Sequence, residues 1–220
     1  MSNVNYGLVG TGGYAREVMP LLLHQVRRTN PSASNVRFFF VDKSGHTGDI
    51  GGIAVVSEDE FCQQDGAKYF NIAVADSKLR EAIALRLEHK GCAPLAIWAD
   101  NAIQIGSNQI AASCIVSPFC CITADAKIGR YFHCNIYSYV AHDCVVGDFV
   151  TFAPNVNCNG NVIVEDHAYI GTGAIIKQGN SGSPLVIGRG AIVGMGAVVT
   201  KSVAAGAVVV GNPASPLKQR

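Results

Sequence analysis

A histidine and an aspartate stand side by side at His142 and Asp143. An imidazole near a carboxylate can have its basicity raised, and it can then accept a proton from a reacting group near neutral pH. His142 comes two residues after Val140, which occupies an inward position of a repeat, so its side chain should point outward. Such a pair is chemically suited to general base catalysis, and a solvated surface pair is the alternative interpretation.

A glycine-rich turn, Gly10-Thr11-Gly12-Gly13-Tyr14-Ala15, follows a short apolar segment and precedes a helical pattern. It matches G-x-G-x-x-A, but a dinucleotide site needs an acidic residue about 20 positions further on, and Asp42 comes 30 residues after Gly12. We therefore favour a phosphate or nucleotide held at the turn and the helix N-terminus over NAD. A tight turn without a ligand is the alternative.

A period of six residues runs through the second half of the chain. Beginning at Ile110, twelve consecutive positions spaced by six are apolar, which is improbable in a chain that is 49% hydrophobic. We call these positions anchors: Ile110, Val116, Ile122, Ile128, Cys134, Val140, Val146, Phe152, Cys158, Val164, Ile170 and Ile176. The period breaks over 177–186 and resumes at Ile187. Most residues four positions after an anchor are small or β-branched.

Six residues are too few for a helical repeat, so each unit must be a short strand and a turn. Three units would make one triangular coil, and stacked coils would bury the anchors in a continuous core. The sequence therefore predicts a parallel β-helix over 101–220, with 177–186 as an insertion loop. That loop is either a tolerated insertion or a flap over a ligand groove.

Residues 1–100 alternate strand and helix signals. Apolar segments at 6–9, 38–41 and 70–75 predict strands, and 57–60 has the pattern of a capping box. Asp76 or Ser77 can cap a helix over 78–90, with Leu79, Ile83 and Leu87 on one face. The chain is thus predicted to be α/β followed by all-β, with a small Rossmann-like βαβ domain in front of the β-helix.

Composition and charge exclude several classes of protein. The net charge is +1 and there is no basic stripe, so nucleic acid is not an expected partner. Apolar runs are too short to span a bilayer, and the first residues lack a signal-peptide pattern. The eight cysteines form no C-x-x-C pair, and five of them occupy anchor or small-residue positions. We expect reduced core thiols, no metal site and a cytoplasmic protein.

Three segments together resemble one family: the turn beginning at Gly10, the His142-Asp143 pair within the repeat, and Val210-Gly211-Asn212-Pro213-Ala214. They are similar to the sugar acyltransferases that include sialic-acid O-acetyltransferases and bacillosamine-type N-acetyltransferases. The resemblance spans nearly the whole chain. It implies a left-handed β-helix, a homotrimer with active sites between neighbouring prisms, and acetyl-CoA as co-substrate. In the N-acetyltransferases the front domain holds a nucleotide-linked amino sugar.

The resemblance also implies roles for individual residues. His142 would be the general base, supported by Asp143, with Asn135 lining the site and the amide of Gly160 holding the oxyanion. The predicted nucleotide-sugar residues are Gly12, Gly13, Tyr14, Asp42 and Lys43. The predicted acetyl-CoA residues are Thr151, Gly173, Ala174, Gly194 and Gly196. Lys218 and Arg220 could meet a CoA phosphate, although an idle basic tail is the simpler interpretation.

The sequence departs from the family at two positions, since Tyr14 and Thr151 stand where histidines are frequent. The predicted reaction is transfer of an acetyl group from acetyl-CoA to the amine of a UDP- or dTDP-linked amino-deoxy sugar. O-acetylation of a sialic-acid-type sugar is the nearest alternative. A zinc lyase of the carbonic-anhydrase type is disfavoured by the spacing of His133, His142 and His167, and a non-catalytic scaffold would make the His142-Asp143 pair incidental.

Overall fold

The computed structural model describes residues 3–29, 31, 35–43 and 48–217. The chain divides into two compact units, Met1–Trp98 and Ala99–Arg220. None of the helices in the described ranges has the length and apolarity needed to cross a bilayer. Lys218 and Arg220 lie outside the described residues.

In its described residues the first unit contains three helices and a six-stranded sheet. In chain order its elements are β1 (Val4–Val9), α1 (Gly13–Thr29), β2 (Val36–Val41), β3 (Gly48–Ile50), β4 (Ile53–Val56), α2 (Glu58–Cys62), β5 (Ala67–Ile72), α3 (Ser77–His89), β6 (Ala93–Pro94) and β7 (Ile97–Trp98). The sheet order is β3-β4-β2-β1-β5-β6, and only β3 runs antiparallel to its neighbour. The chain leaves β1 toward β2 on one side and later returns to β5 on the other, so a crevice is expected at the carboxyl ends of these strands.

The helix starts of this unit follow the sequence signals. Ser57 Oγ accepts a hydrogen bond from the Glu60 N–H (3.1 Å), and the Glu60 carboxylate accepts one from the Ser57 N–H (2.7 Å). This confirms the predicted capping box. Asp76 is the N-cap of α3 and accepts from the N–H groups of Lys78 and Leu79, so the first of the two proposed caps is the one used.

Two local predictions in this unit were wrong. The third strand lies at Ala67–Ile72 and not at 70–75. Leu79, expected on the buried face of α3, is 47% exposed, and the charged residue beside it, Arg80, is fully buried with Ile83 and Leu87. Helical spacing assigns a face only to within one residue, and the contacts of Arg80 decide which neighbour turns inward.

The second unit is a parallel β-helix of short strands. They are β8 (Ile103–Gln104), β9 (Gln109–Ile110), β10 (Ile115–Val116), β11 (Cys121–Ile122), β12 (Lys127–Ile128), β13 (His133–Cys134), β14 (Tyr139–Val140), β15 (Val145–Val146), β16 (Thr151–Phe152), β17 (Asn157–Cys158), β18 (Val162–Val164), β19 (Tyr169–Ile170), β20 (Ile175–Ile176), β21 (Leu185–Ile187), β22 (Ile192–Val193), β23 (Val198–Val199), β24 (Val208–Val210) and β25 (Ser215–Pro216). Because β21 starts at Leu185, the segment outside the coils is 177–184, two residues shorter than predicted.

Successive strands fall on three sheets in turn. Within this unit, sheet 1 contains β10, β13, β16, β19, β22, β24 and the antiparallel edge strand β25; sheet 2 contains β8, β11, β14, β17, β20 and β23; sheet 3 contains β9, β12, β15, β18 and β21. Ile115 pairs with His133 and His133 with Thr151, so one coil takes three hexads. Before the 177–184 segment, paired residues on adjacent coils are 18 positions apart. Tyr169 of β19 pairs with Ile192 of β22, 23 positions later, because the 177–184 segment adds residues between these two coils.

The anchors form the core of the coils. From Val116 to Ile176 every anchor is buried, and the first, Ile110, is half-buried. Ile187, Val193 and Val199, where the period of six resumes, are buried as well. Cys114, Cys120, Cys134, Cys144 and Cys158 are buried free thiols, which confirms their predicted core positions. Burial raises the pKa of the Cys114 thiol to about 12, as expected for a group whose charged form is desolvated.

Glycines directly after anchors allow adjacent coils to stack. A Cβ on Gly129 would lie 2.6 Å from the Gly147 carbonyl carbon and 2.4 Å from Asp148 Oδ1. A Cβ on Gly147 would lie 2.3 Å from Asp166 Oδ1. These carboxylates accept hydrogen bonds from the N–H groups of Arg130 and Asp148 on the preceding coil, so each glycine leaves room for a side chain that ties two coils together.

Three columns of turns connect the sheets, and we name them by their contents. The His142 edge joins sheet 2 to sheet 3 and comprises 123–125, 141–143 and 159–161. The aromatic edge joins sheet 3 to sheet 1 and comprises 129–131, 147–149 and 165–167. The glycine edge joins sheet 1 to sheet 2 and comprises 117–119, 135–137, 153–155, 171–173 and 194–196. The third residue of each of these turns has φ between 52° and 69°.

Candidate active site

The His142 side chain lies on its edge beside a carboxylate. His142 Nδ1 is 2.7 Å from Asp143 Oδ2, and both side chains are about half exposed, 49% and 55%. Asp143 takes the left-handed turn conformation, φ 59°, and its N–H donates to the Ala124 carbonyl of the preceding coil. A hydrogen bond at Nδ1 fixes the tautomer and leaves Nε2 able to accept a proton.

Gly160 lies directly against the imidazole. A Cβ on Gly160 would be 2.5 Å from both Cε1 and Nε2 of His142. The adjacent Asn161 N–H donates to the His142 carbonyl (3.0 Å), which aligns the two coils. The structure therefore brings together three of the four predicted catalytic residues, and a side chain at position 160 would displace the imidazole.

Asn135 is not part of this cluster within one chain. It lies on the glycine edge, half-buried, and its Nδ2 donates to the Phe152 carbonyl (2.6 Å). Consecutive edges of a three-sided coil are separated by a sheet face, here β14 between Asn135 and His142. Asn135 could meet His142 only if the edge of one copy faces a different edge of another copy.

Four of the predicted acetyl-CoA residues share one region, and the fifth does not. Gly173 and Gly196 occupy the third turn position of the glycine edge, where a Cβ would meet nothing within 4 Å, and Ala174 follows as a buried residue. Gly194 begins the last turn of this edge, and a Cβ there would lie 2.7 Å from Val210 Cγ1. Thr151 lies on sheet 1 between His133 and Tyr169 and is buried, so its assignment to the acetyl-CoA site stays a prediction.

The predicted nucleotide-sugar residues meet at strand ends in the first unit. The Gly10 N–H donates to the Val41 carbonyl (2.9 Å), which places the glycine turn beside Asp42. Gly12 and Gly13 are exposed, with open space where a Cβ would stand, and α1 begins at Gly13. Tyr14 and Asp42 are half-buried and Lys43 is exposed. Unpaired N–H groups at a helix start suit an anionic ligand.

Two polar residues near Gly160 had not been singled out from the sequence. Tyr139 OH donates to Asn159 Oδ1 (2.9 Å), and Asn159 Nδ2 donates to the Ile176 carbonyl (2.7 Å). Burial raises the pKa of the Tyr139 phenol. Tyr139 directly precedes the anchor Val140, and Asn159 directly follows the anchor Cys158. The repeat could have indicated that they are close, because residues 18 positions apart, such as Ala141 and Asn159, lie beside each other on adjacent coils.

The 177–184 segment leaves the coils at the His142 edge. The Gly179 N–H donates to the Gly160 carbonyl (3.0 Å), and Asn180 and Ser183 exchange backbone hydrogen bonds. A Cβ on Gly179 would lie 2.2 Å from the Asn161 carbonyl oxygen. The segment therefore stacks directly on the turn that contains Gly160. In the described ranges no group of three or more His, Cys, Asp or Glu side chains is arranged to hold a metal ion.

Relatives of the chain define its class. No family model matches the sequence. It is 46% identical over 215 residues to GDP-perosamine N-acetyltransferase from Escherichia coli O157:H7, an alignment covering 97% of this chain and 96% of the relative. The structure of WeeI from Acinetobacter baumannii AYE superposes with a TM-score of 0.92 at 49% identity, covering 98% of this chain and 100% of that one.

A more distant structure shows the same fold. The acetyltransferase domain of PglB from Neisseria gonorrhoeae FA1090, in complex with acetyl coenzyme A, has a TM-score of 0.84 at 23% identity, covering 98% of this chain and 100% of that domain. The fold and the repeat define a hexapeptide-repeat acyltransferase of the left-handed β-helix class. Within that class, the chain belongs to the sugar N-acetyltransferases, which confirms the resemblance found in its sequence.

Proposed function

We propose that this protein transfers the acetyl group of acetyl-CoA to the amine of a nucleotide-linked amino sugar, with His142 as the general base. The observation that carries the proposal is the imidazole of His142, hydrogen-bonded to Asp143 at Nδ1 and packed against Gly160. It lies in a chain 46% identical to an enzyme that acetylates GDP-perosamine. That relative favours N-acetylation over the sialic-acid type of O-acetylation.

The residues on the His142 edge meet the needs of a direct acyl transfer. The amine attacks the thioester carbonyl carbon, and it must lose a proton as the C–N bond forms. His142 Nε2 accepts that proton, while Asp143 stabilises the imidazolium. The Gly160 N–H would donate to the carbonyl oxygen as it gains negative charge. The C–S bond then breaks, and the CoA thiolate leaves and takes up a proton.

The nucleotide would bind at the carboxyl ends of β1 and β2. Gly12 and Gly13 allow a diphosphate to approach the start of α1, and Tyr14, Asp42 and Lys43 surround that turn. The relative that uses a GDP-linked sugar favours a guanine nucleotide over the UDP or dTDP suggested from the sequence. The proposal thus assigns to the first unit the nucleotide-binding role of a Rossmann-like domain.

A complete site would need more than one copy of the chain. His142 and Asn135 lie on different edges, so we propose a homotrimer in which the His142 edge of one copy faces the glycine edge of the next. Acetyl-CoA would then lie along Gly173, Ala174, Gly194 and Gly196, and the open space beside Gly173 and Gly196 gives an elongated ligand room.

The test is release of CoA thiol from acetyl-CoA with a panel of acceptors: GDP-perosamine, UDP- and dTDP-linked amino sugars, and free sialic acid. His142→Ala is the inactive variant, and His89→Ala, an exposed histidine at the end of α3, is its control. Turnover with a nucleotide amino sugar that only His142→Ala abolishes supports the proposal. Turnover with sialic acid alone would replace it with O-acetylation, and no turnover with any acceptor would favour a scaffold.

A further inference from the structure

A fully buried arginine lies beside the proposed nucleotide site. Arg80 is completely excluded from solvent on the inner face of α3, among Ile83, Ala84 and Leu87. Burying a charged guanidinium is costly unless its donors are satisfied. An apolar side chain would fill this position at lower cost if packing alone mattered, so the charge calls for a function.

The contacts of Arg80 point toward the glycine turn. Its Nη1 donates to the carbonyls of Val74 (2.7 Å) and Ala75 (3.2 Å), in the segment that joins β5 to α3. That segment runs beside the turn, since the Ala73 N–H donates to the Val9 carbonyl and a Cβ on Gly10 would lie 3.0 Å from the Ala73 oxygen. The nearby Tyr14 and Asp76 side chains raise the pKa of Arg80 and so partly offset the opposite effect of burial.

We propose that Arg80 is a positioning residue for nucleotide binding, an inference that rests on the proposed function. It holds the 74–75 carbonyls in the conformation that leaves the glycine turn open to the nucleotide. Its side chain has no exposed surface, so it acts through these groups and does not touch the ligand.

The charge of Arg80 adds a second effect. Burial lowers the pKa of Arg80 to about 10, so the guanidinium remains protonated at neutral pH. A positive charge away from bulk water is weakly screened. It therefore favours a diphosphate at the start of α1, whose N–H groups attract the same anion.

The experiment measures binding of GDP, UDP and dTDP to the full chain by calorimetry, and then KM for acetyl-CoA and for the acceptor found active. The variants are Arg80→Met, Arg80→Lys and the control Arg86→Met. Arg86 is on the same helix, pairs with Glu58 (2.7 Å) and is 43% exposed. A lysine keeps the charge, but its single ammonium ends a differently shaped side chain and must reach the position of Nη1 to donate to the same two carbonyls.

We expect Arg80→Met to weaken nucleoside diphosphate binding roughly tenfold or more, and Arg80→Lys to weaken it by about threefold to tenfold. The KM for acetyl-CoA should change in neither variant, and Arg86→Met should bind like the wild type. Unchanged nucleotide affinity in either folded Arg80 variant would overturn the inference, as would an equal rise in both KM values. If Arg80→Met does not fold, Arg80→Lys decides.

Failure of the proposed function can be distinguished from failure of the inference about Arg80. A wild-type chain that binds a nucleoside diphosphate but acetylates no sugar would contradict the function while leaving Arg80 testable by binding. A wild-type chain that binds none of the three nucleotides would overturn the inference about Arg80.

Discussion

The β-helix uses the same turn on two edges and places a histidine on each in a different environment. On the His142 edge the imidazole is half exposed and 2.7 Å from Asp143. On the aromatic edge His167 is buried, and its ring stacks on Phe149 at 5.4 Å, which in turn stacks on Tyr131 at 5.4 Å. The turn backbones are alike, but His142 is the second residue of its turn and His167 the third. The position in the turn and the residues one coil away together decide whether a histidine meets solvent or other rings.

The largest expected effect is on catalysis at the His142 edge. Replacing His142 with alanine removes the proposed base, and kcat/KM should fall by about 10²- to 10⁴-fold. The unfolding temperature should stay within about 2 °C of the wild type because surface substitutions rarely change stability. Steady-state kinetics and a thermal melt check both expectations. A variant with wild-type activity would remove His142 from the mechanism.

The next prediction tests whether the close packing of Gly160 against the imidazole contributes to catalysis. Gly160→Ala puts a Cβ 2.5 Å from Nε2 of His142, which forces the ring away, and small misplacements can cost about a hundredfold in rate. We expect kcat to fall roughly tenfold to a hundredfold. Gly182→Ala, where a Cβ meets nothing within 4 Å, is the matched control. Equal kinetics for the two variants would show that the close packing has no catalytic role.

The aromatic edge should respond in stability and not in kinetics. His167→Ala removes a buried ring and its stacking on Phe149, which should lower the free energy of unfolding by about 2 kcal/mol. The KM for acetyl-CoA and the KM for the acceptor should both stay near those of the wild type. Urea unfolding together with kinetics tests this. If His167→Ala lost activity without losing stability, the distinction between the two edges would be wrong.

The smallest expected effect concerns the carboxylate of Glu60 in the capping box, which contributes to the stability of the fold and not to the proposed active site. Hydrogen bonds from the N–H and the hydroxyl of Ser57 lower the pKa of Glu60. The folded pKa is therefore below the unfolded value of about 4.3. The contribution of Glu60 to stability is present above the unfolded pKa and is lost as the pH falls through the folded one.

The measurement is the unfolding midpoint of wild type and Glu60→Gln between pH 6 and pH 2. The wild type should be the more stable near pH 6, and the difference should shrink as the carboxylate becomes protonated. A difference that is the same at both ends of this range would mean that the carboxylate charge does not contribute.

The sequence predicted the β-helix well because its signal is repeated. Every coil imposes the same requirements on the anchors and on the small residues four positions after them. One bulky residue at such a position, Phe132 after the anchor Ile128, therefore does not obscure the period. In the first unit each residue is placed by its own contacts. The capping box was found because it is local, whereas the bounds of β5 and the burial of Arg80 depend on neighbours distant in sequence.

The candidate site divides in the same way. The pairing of His142 with Asp143 is local and was predicted from adjacent residues. The contact of Gly160 with the imidazole depends on the stacking of coils, and only the structure shows it. Asn135 was assigned to the same site by resemblance, but a spacing of seven residues crosses a sheet face in a three-sided coil and puts it on another edge.

By itself the sequence determined the period, the buried positions and the class of the protein, because a short repeat fixes which side chains face inward wherever it occurs. Only the tertiary structure decided which histidine is accessible, which edge each predicted residue occupies and which residue of α3 is buried. Those outcomes depend on side chains brought together from different coils and strands, and no local pattern encodes their distances.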